Sequence, residues 1–404
     1  MNSLNLDKIL SYSLDCISKF NSNNYPLKNT AKDIINEKKL NSKERKIFLD
    51  LVFLWCKEVN LVTRYLLSGE KFFNSLSYNQ KQQIILKILL AYPDEYKNFL
   101  DNLGNEKYSL MLGEKLFKLL SKSYNKEEVL NITKSLFDSN IVYVAIDETQ
   151  ISISDFLREL KINNIEYFLP KELDNIVAFN KRISLSKLSS QIKNNIWYMD
   201  LGSQLIASLI KPLPQEKVLD LCCGKGIKSK YLAKYSTNLT LVELDKRRIE
   251  HAKKWLNNKN ITFINTDATK KLNSLKKNDF DWILLDVPCT GVGTIKRHPD
   301  LIHRWSKLFD SLIDVQYALL ENAIKYLKPN GKLIYSTCSI LREENQDQIA
   351  KILSVYKNIK LVPIEYLSSN FSFKNIEFKD FGYNLFPHIY KTDGFFICCL
   401  TKYE

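Results

Sequence analysis

The sequence predicts an α/β protein whose larger part is a doubly wound, mainly parallel sheet, preceded by an all-helical region and a small α+β insert. From Leu201 onward, short apolar runs alternate with helical stretches, as in a parallel sheet covered by helices. The N-terminal third shows apolar residues at helical spacing and no strand alternation. We therefore expect three domains, at residues 1–135, 136–200 and 201–404.

The first region is predicted to be a helical bundle. Apolar residues recur every three or four positions in 47–55 and in 84–90, and several such faces can bury one another. A helix start is expected near residue 42, with Ser42 as its cap and Arg45 facing outward.

The middle segment has a different pattern. Residues 141–146 predict a strand, and a helix is expected over 153–162. Short apolar segments near 167–169 and 176–179 follow. Together they indicate a small α+β insert.

The C-terminal half predicts five parallel strands and a terminal strand. The apolar runs are Val218–Leu221, Leu239–Glu243, Ile261–Ile264, Trp282–Leu285 and Lys332–Tyr335. The clearest helices are expected around Arg247–Trp255 and Leu312–Tyr326. The last apolar run, 394–400, predicts a strand in which Cys398 and Cys399 are packing residues.

The net charge is +14, and it is unevenly distributed. Residues 1–130 carry +5, residues 131–210 carry −1, and residues 211–404 carry +10. Basic regions of this kind suit a polyanionic partner, above all nucleic acid. A lysine-rich and asparagine-rich composition that only solvates the surface would produce the same excess.

The eight cysteines include two adjacent pairs but no Cys-x-x-Cys. This spacing fits neither a zinc knuckle nor a disulfide scaffold, so we expect no metal. Met1–Lys8 lacks a signal-peptide pattern, and no apolar run approaches a membrane span. A cytoplasmic protein with reduced thiols and no membrane association is expected, with a monomer as the default state.

Cys289 and Cys338 are the most informative residues. Each follows an apolar run predicted to be a buried strand, and the carboxyl ends of strands are where ligands and chemistry collect in such sheets. A single cysteine is more often a small packing residue. Two thiols at corresponding strand ends indicate covalent catalysis.

A glycine-containing loop, 220–228, follows the first strand of the sheet and opens a helix. Such a loop lets a ligand approach the backbone and the exposed N–H groups of the helix. Glu243 ends the next strand, where a carboxylate can bind ribose hydroxyls, and Asp267 after the third strand could bind an adenine amino group. The predicted cofactor-binding residues here are Cys222, Cys223, Gly224, Lys225, Gly226, Ile227, Lys228, Glu243 and Asp267.

Two glycines do not make the three-glycine dinucleotide fingerprint, because Ser229 occupies the third glycine position. S-adenosylmethionine is therefore preferred to a nicotinamide cofactor.

These motifs resemble those of the RNA cytosine-C5 methyltransferases of the Sun/Nop superfamily, most closely the bacterial RsmB-like 16S ribosomal RNA enzymes. The matching stretches are Asp220–Lys228, Asp286–Pro299 (DVPCTGVGTIKRHP), Trp305, Tyr335–Asn345 (YSTCSILREEN) and Asp393–Phe396. Ser42–Leu67 is similar to the helical domain related to the NusB antitermination factor, and residues 141–210 are similar to the family's RNA-recognition insert. The resemblance implies a class I, Rossmann-like methyltransferase domain behind a NusB-like domain.

The cofactor loop departs from the family's usual Cys-Ala-Ala-Pro-Gly-Gly-Lys. It keeps Gly226 and Lys228 but has Cys223, Gly224, Lys225 and Ile227 at the middle positions.

The resemblance implies a 5-methylcytidine product in RNA, here 16S ribosomal RNA. It makes Cys338 the nucleophile that adds to cytosine C6 and Cys289 the group that assists release. Asp286 would hydrogen-bond the N3/N4 edge of cytosine and lie among the cofactor contacts. The residues expected to hold flanking phosphates or shape the pocket are Lys296, Arg297, His298 and Arg304.

Two alternatives stay open at this point. The same fold serves methyltransferases that act on a base nitrogen, a ribose or a protein, and these need no cysteine pair. A non-catalytic RNA-binding or assembly factor is the second alternative, which the altered glycine loop alone supports.

Overall fold

The computed structural model describes residues 5–23, 25–69, 71–138, 141–170, 176–236, 238–256, 260–367 and 380–403. Their contacts form two compact units. The helical unit comprises Met1–Phe137 and Ile295–Ser306, and the sheet unit comprises Asp138–Thr294 and Lys307–Glu404. The three-domain division expected from the sequence stays a prediction.

The helical unit is built from amphipathic helices, of which the first six surround one core. Its helices are α1 (Leu6–Asn23), α2 (Leu27–Lys38), α3 (Ser42–Gly69), α4 (Tyr78–Ala91), α5 (Asp94–Leu103), α6 (Glu106–Leu112), α7 (Glu114–Ser123) and α8 (Lys126–Phe137). Phe48, Trp55, Ile85 and Tyr96 are all buried in this core. The helical character predicted for this region is confirmed.

The helix cap predicted at Ser42 is wrong. Asn41 is the cap, because its Oδ1 accepts the backbone N–H groups of Lys43 and Glu44, each at 3.0 Å. The Glu44 carboxylate accepts the Asn41 N–H at 3.0 Å, which completes a reciprocal capping box. The cap must lie one residue before the first helical residue, so Ser42 is already inside α3. Arg45 is exposed, as expected.

The insert is a three-stranded antiparallel sheet in the order β2-β1-β3. Its elements are β1 (Val142–Ile146), α9 (Ile153–Ile162), β2 (Val177–Phe179), α10 (Ser190–Asn194) and β3 (Ile196–Tyr198). The strand expected at 141–146 and the helix expected at 153–162 are confirmed. Phe168 forms an isolated bridge with Ala178.

The large sheet has eight strands, in the order β10-β11-β8-β7-β4-β5-β6, with β9 paired to β11. They are β4 (Val218–Asp220), β5 (Leu239–Glu243), β6 (Ile261–Asn265), β7 (Phe280–Asp286), β8 (Leu327–Thr337), β9 (Ile359–Val362), β10 (Tyr383–Leu385) and β11 (Phe395–Lys402). The pairs from β6 to β8 are parallel, and those of β9, β10 and β11 are antiparallel. The predicted doubly wound, mainly parallel α/β fold is confirmed.

Helices cover both faces of this sheet. They are α11 (Leu201–Ser208), α12 (Ile227–Leu232), α13 (Lys246–Trp255), α14 (Leu301–Tyr326), α15 (Gln346–Val355) and α16 (Pro387–Tyr390). Helix α14 begins eleven residues before the predicted start at Leu312. Successive residues of the strands contribute alternately to two apolar cores, one on each face of the sheet. Cys399 is buried in one core and Cys398 in the other, as the sequence predicts.

Strand order reverses at β4, which lies between β5 and β7. Such a reversal opens a crevice outside the carboxyl ends of the two neighbouring strands, where open α/β sheets bind ligands. The loops after β4 and β7 are those that carry the glycines and Cys289.

Among the described residues, no helix has both the length and the apolar character to cross a membrane.

Candidate active site

The two cysteines meet at the carboxyl edge of the large sheet. Cys289 follows β7, Cys338 follows β8 directly, and their Sγ atoms lie 3.3 Å apart. The parallel pairing of β7 with β8 sets this distance, because Asp286 is in register with Ser336. The structure thus brings together two residues that are 49 positions apart in the sequence.

The environment of Cys289 favours its protonated form. Its hydrogen bond with Cys338 raises the pKa of the Cys289 thiol well above its usual value, and burial and the negative charge of Cys338 raise it further. Cys289 therefore keeps its proton and can donate it to the Cys338 sulfur.

Asp286 is held from two sides at the end of β7. Its Oδ2 accepts Lys228 Nζ at 2.6 Å, and its Oδ1 accepts the Ser336 hydroxyl at 2.8 Å. Burial alone would lower the pKa of the Lys228 ammonium, but the Asp286 carboxylate more than offsets this and the net shift is upward. Lys228 is thus a fixed cation beside Asp286.

A buried carboxylate holds the loop that carries Cys289. Glu344 accepts the backbone N–H of Thr290 at 2.7 Å and its hydroxyl at 2.5 Å. The Gln316 side chain donates to Glu344 at 2.9 Å and to the Pro288 carbonyl at 3.0 Å. These contacts fix the positions of the residues on both sides of Cys289.

Sequence reasoning did not assign roles to Ser336, Glu344 or Gln316. Ser336 and Glu344 lie inside the quoted 335–345 motif, which was a usable signal. Gln316 lies in the middle of α14, where no local pattern distinguishes it.

The glycine loop needs its glycines at two positions. Gly224 and Gly226 have φ of +59° and +78°, a region that other L-residues rarely adopt. A Cβ at Gly226 would lie 2.9 Å from the Ala252 Cβ, so α13 packs directly against the loop. Glu243 accepts the Gly224 N–H at 2.8 Å and the Asp245 N–H at 2.8 Å, one on each oxygen.

The other predicted loop residues have local structural contacts. The Cys223 N–H donates to the Val242 carbonyl at 3.0 Å, and burial raises the pKa of the Cys222 and Cys223 thiols, so neither sulfur is reactive. The Lys225 carbonyl accepts the Trp255 indole N–H at 3.0 Å, and Ile227 begins α12.

Asp267 is partly exposed beyond the end of β6. Its Oδ1 accepts the hydroxyl and the N–H of Thr269, at 2.7 and 3.0 Å, and the hydroxyl bond lowers the pKa of the carboxyl. It is therefore an ionised acceptor at the edge where an adenine amino group was expected.

Asp220 is a further residue of the crevice, and it was not among the site candidates predicted from the sequence. It is buried at the end of β4, and its Oδ2 accepts the Ser229 hydroxyl at 2.6 Å. Its Oδ1 has no hydrogen-bond partner among the described residues. Burial raises its pKa to about 7, which the Ser229 hydrogen bond partly opposes.

The residues of the crevice fit S-adenosylmethionine. The unpartnered Asp220 oxygen suits an N–H donor such as the amino group of its methionine part. Each Glu243 oxygen keeps a further lone pair for a ribose hydroxyl. The open space above Gly224, where nothing lies within 4 Å of a Cβ position, admits a ligand to the backbone.

The four predicted RNA-contact residues lie in Ile295–Ser306, which clusters with the helical unit. Arg304 Nε donates to the buried Asp300 at 2.7 Å, and Asp300 also accepts the Leu27 N–H at 3.4 Å. Burial and the positive charge of Arg297 lower the pKa of His298 to about 4. His298 is therefore neutral at physiological pH. The Lys296 side chain is half-buried, and that of Arg297 is exposed.

The sheet order, the glycine loop at its reversal point and the acidic residue ending the next strand define a class I methyltransferase domain. Residues 207–401 match the model of the 16S rRNA methyltransferase RsmB/F family. Those residues are thus similar to this methyltransferase family, which confirms the resemblance seen in the sequence. S-adenosylmethionine as the cofactor is confirmed with it.

Curated relatives carry the same family name. The ribosomal RNA small subunit methyltransferase B of Shewanella oneidensis is 27% identical over 81% of this chain and 68% of its own length. A probable ribosomal RNA small subunit methyltransferase B of Bacillus subtilis is 32% identical over 50% of this chain and 47% of its own length. The matched regions span between 38% and 68% of the length of the curated relatives.

Two solved structures extend the similarity. A methyltransferase homolog protein from Pyrococcus horikoshii covers 73% of this chain and 98% of its own, with 25% identity and a TM-score of 0.60. The crystal structure of PH0851 covers 99% of both chains with a TM-score of 0.75, and its 20% identity shows the fold alone.

Among the described residues, no group of three or more His, Cys, Asp or Glu side chains could hold a metal ion.

Proposed function

We propose that this protein is an S-adenosylmethionine-dependent RNA cytosine-C5 methyltransferase whose substrate is 16S ribosomal RNA. The observation that carries the proposal is the 3.3 Å contact between Cys289 and Cys338, with the proton retained on Cys289. The methyltransferases on this fold that act on nitrogen, oxygen or protein need no such pair. The ribosomal RNA substrate is supported by the names of the relatives and by the charge of +14.

Cytosine C5 is too weak a nucleophile to be methylated directly. The Cys338 thiolate adds to C6, the C5=C6 electron pair becomes available at C5, and a new bond forms between C5 and the methyl carbon. S-adenosylmethionine, when bound, would supply that methyl group from its sulfonium, with the thioether S-adenosylhomocysteine as the leaving group. Asp286, held by Lys228, accepts a hydrogen bond from the exocyclic amino group and orients the ring.

Release requires a base for the C5 proton. Once the Cys338 sulfur is bonded to C6, neither its hydrogen bond nor its negative charge raises the pKa of Cys289, and burial is the main cause that remains. Cys289 can then give its proton to solvent and take the proton from C5. The C5–H electron pair re-forms the C5=C6 bond, the C6–S bond breaks, and Cys338 returns as a thiolate.

The target cytosine must leave its stack to reach this edge of the sheet. Unstacking costs a few kcal/mol and is cheapest for a base that is already unpaired. We propose that Lys296, Arg297, His298 and Arg304 contact the flanking RNA. The helical unit, which contains them, and the insert at residues 136–200 are then RNA-binding elements.

A denaturing gel tests the covalent mechanism. Cys289→Ala is incubated with 16S ribosomal RNA and S-adenosylmethionine, beside wild type and Cys289→Ala/Cys338→Ala. A denaturant-resistant RNA–protein band in the single variant, absent from the double variant, is the expected result. If no band forms although both ligands bind, the acceptor atom is not C5 of cytosine and the two-thiol mechanism is wrong.

A further inference from the structure

We propose that a cleft in the insert, lined by Lys181, Arg182 and Lys187, binds one unpaired nucleotide of single-stranded RNA through its phosphate. This goes beyond the thiol site, and it depends on the proposed function only for the identity of the RNA. The cleft has a volume of about 450 Å³. This volume suits a single nucleotide. Proteins recognise a duplex differently, across a broad groove.

The positive side chains of the insert are concentrated here. Of the six basic residues in the described part of 141–200, three line the cleft. Lys181, Arg182 and Lys187 form no ion pair with any residue that the structure describes. An insert with almost no net charge thus has a local cationic site.

Three acidic side chains of the insert have partners outside the cleft. Asp155 pairs with Arg158, and Glu148 pairs with Lys234. Asp147 accepts two bonds from Thr149. Among the described residues, Glu166 is the acidic side chain that lines the cleft.

Arg182 is pre-organised to bind an anion. Its guanidinium lies 4.5 Å from the centre of the Tyr198 ring, a cation–π contact that restricts the side chain. The Tyr198 hydroxyl donates to the Ile183 carbonyl at 2.9 Å, so the ring is tied to the loop that carries the arginine. A planar guanidinium held in this way loses little entropy when it binds two phosphate oxygens.

The remaining lining suits a nucleobase. The side-chain amides of Asn164 and Asn180 line the cleft and have no hydrogen-bond partner among the described residues. Each offers both a donor and an acceptor, as the edge of an unpaired base requires. Phe179 is buried in the insert core and provides an apolar floor.

The test measures binding to a fluorescein-labelled, unstructured 12-nucleotide RNA by anisotropy, in full-length Cys338→Ala protein without cofactor. Because no methyl transfer takes place, the result is independent of the proposed function. Arg182→Ala is expected to raise Kd about ten-fold, the loss of one charge-assisted contact. Lys181→Ala/Lys187→Ala is expected to flatten the slope of log K against log salt by roughly 0.7 for each lost phosphate contact.

Two controls complete the design. Arg158→Ala removes an exposed arginine of the same insert and is expected to leave Kd within about two-fold. S-adenosylhomocysteine binding, unchanged in every variant, shows that the sheet unit is intact. The proposal is overturned if Arg182→Ala and Arg158→Ala bind the RNA equally, or if Arg182→Ala weakens a duplex of the same length as much as the single strand.

Discussion

Lys228 and Asp286 form an ion pair that joins the first turn of α12 to the end of β7, with Nζ 2.6 Å from Oδ2. The side chains are 12% and 29% exposed, so the charges are poorly solvated and depend on each other. The pair connects the cofactor loop with the thiol edge, and each partner occurs in one of the matching sequence stretches.

Removing the cation from this pair is expected to destabilise the sheet unit. Lys228→Met leaves Asp286 without its ion-pair partner, at a cost on the order of 2–4 kcal/mol in the free energy of unfolding. Lys228→Arg keeps the charge and is expected to retain most of the stability. Urea unfolding measures the difference, and single-turnover methyl transfer should fall at least ten-fold in Lys228→Met. Equal stability and rate in the two variants would contradict a structural role for the pair.

Two glycines in one loop differ in what their substitution should cost. Gly226→Ala brings a Cβ to 2.9 Å from the Ala252 Cβ and 3.0 Å from Leu256 Cδ1, in addition to its unfavourable φ. Either the loop or α13 must shift, so S-adenosylhomocysteine affinity should fall by more than ten-fold.

Gly224→Ala is the matched control. Its φ is also positive, but no atom lies within 4 Å of the new Cβ. The expected cost is that of the backbone alone, about 1–2 kcal/mol. A Cβ at Gly224 would also enter the space through which the cofactor reaches the backbone, so the two variants are compared by urea unfolding without ligand. Equal losses of stability would show that α13 does not limit the loop.

The strands that build the site were predictable because each is a short apolar run that ends in a polar or reactive residue. Glu243, Asp286 and Cys338 follow directly from that pattern. The contact of Cys289 with Cys338 also follows, because parallel neighbours end at the same edge of the sheet.

The rest depends on contacts that no local pattern encodes. Glu344 and Gln316 reach the Cys289 loop from separate elements, and only the tertiary fold shows that they share hydrogen bonds. The grouping of Ile295–Ser306 with the helical unit depends on packing between residues more than 200 positions apart, such as Asp300 with the Leu27 N–H. The cap of α3 could have been identified from a local pattern. Asn41 is followed three residues later by Glu44, which is the spacing of a capping box.

Glu344→Gln is expected to slow product release more than adduct formation. The glutamate accepts three hydrogen bonds, two of them from Thr290 next to Cys289. Oε1 accepts both the Thr290 N–H and Gln316, and Oε2 accepts the Thr290 hydroxyl. A glutamine nitrogen in place of Oε2 cannot accept that hydroxyl, so this buried bond is lost or reversed, at a cost of about 1–3 kcal/mol. The displaced loop should move Cys289 away from C5 of the cytosine, so that release slows. A band of covalent RNA–protein adduct should then accumulate on denaturing gels, weaker than that of Cys289→Ala.

Glu321→Gln is the control for that substitution. Glu321 lies on α14 in the same unit and accepts the Tyr356 hydroxyl at 3.1 Å, which a glutamine oxygen can also accept. It should show no covalent band. A band of equal strength in both glutamine variants would mean that loss of a carboxylate anywhere in the unit, and not the Thr290 contacts, causes the accumulation.

Glu58 makes the stability of the helical unit depend on pH. Its buried carboxylate accepts the hydroxyls of Tyr92 and Tyr96, at 3.1 and 3.0 Å, and forms no ion pair among the described residues. Burial raises its pKa above the ordinary 4.5, although both tyrosine bonds oppose the shift. The folded protein therefore binds the proton more tightly than the unfolded chain, and this contribution to stability is present below pH 4.5 and lost as the pH rises through the folded pKa.

Glu58→Gln removes the titrating group and keeps an acceptor for the tyrosines. The variant should have a higher urea midpoint than wild type at pH 7, and the two midpoints should converge as the pH falls to about 4.5. Asp50→Asn, an exposed carboxylate on the same helix, controls for loss of charge and should leave the midpoint nearly unchanged at both pH values. A Glu58→Gln midpoint that runs parallel to wild type across this range would show that the buried carboxylate does not set the pH dependence, because an uncoupled group cannot make the two curves converge.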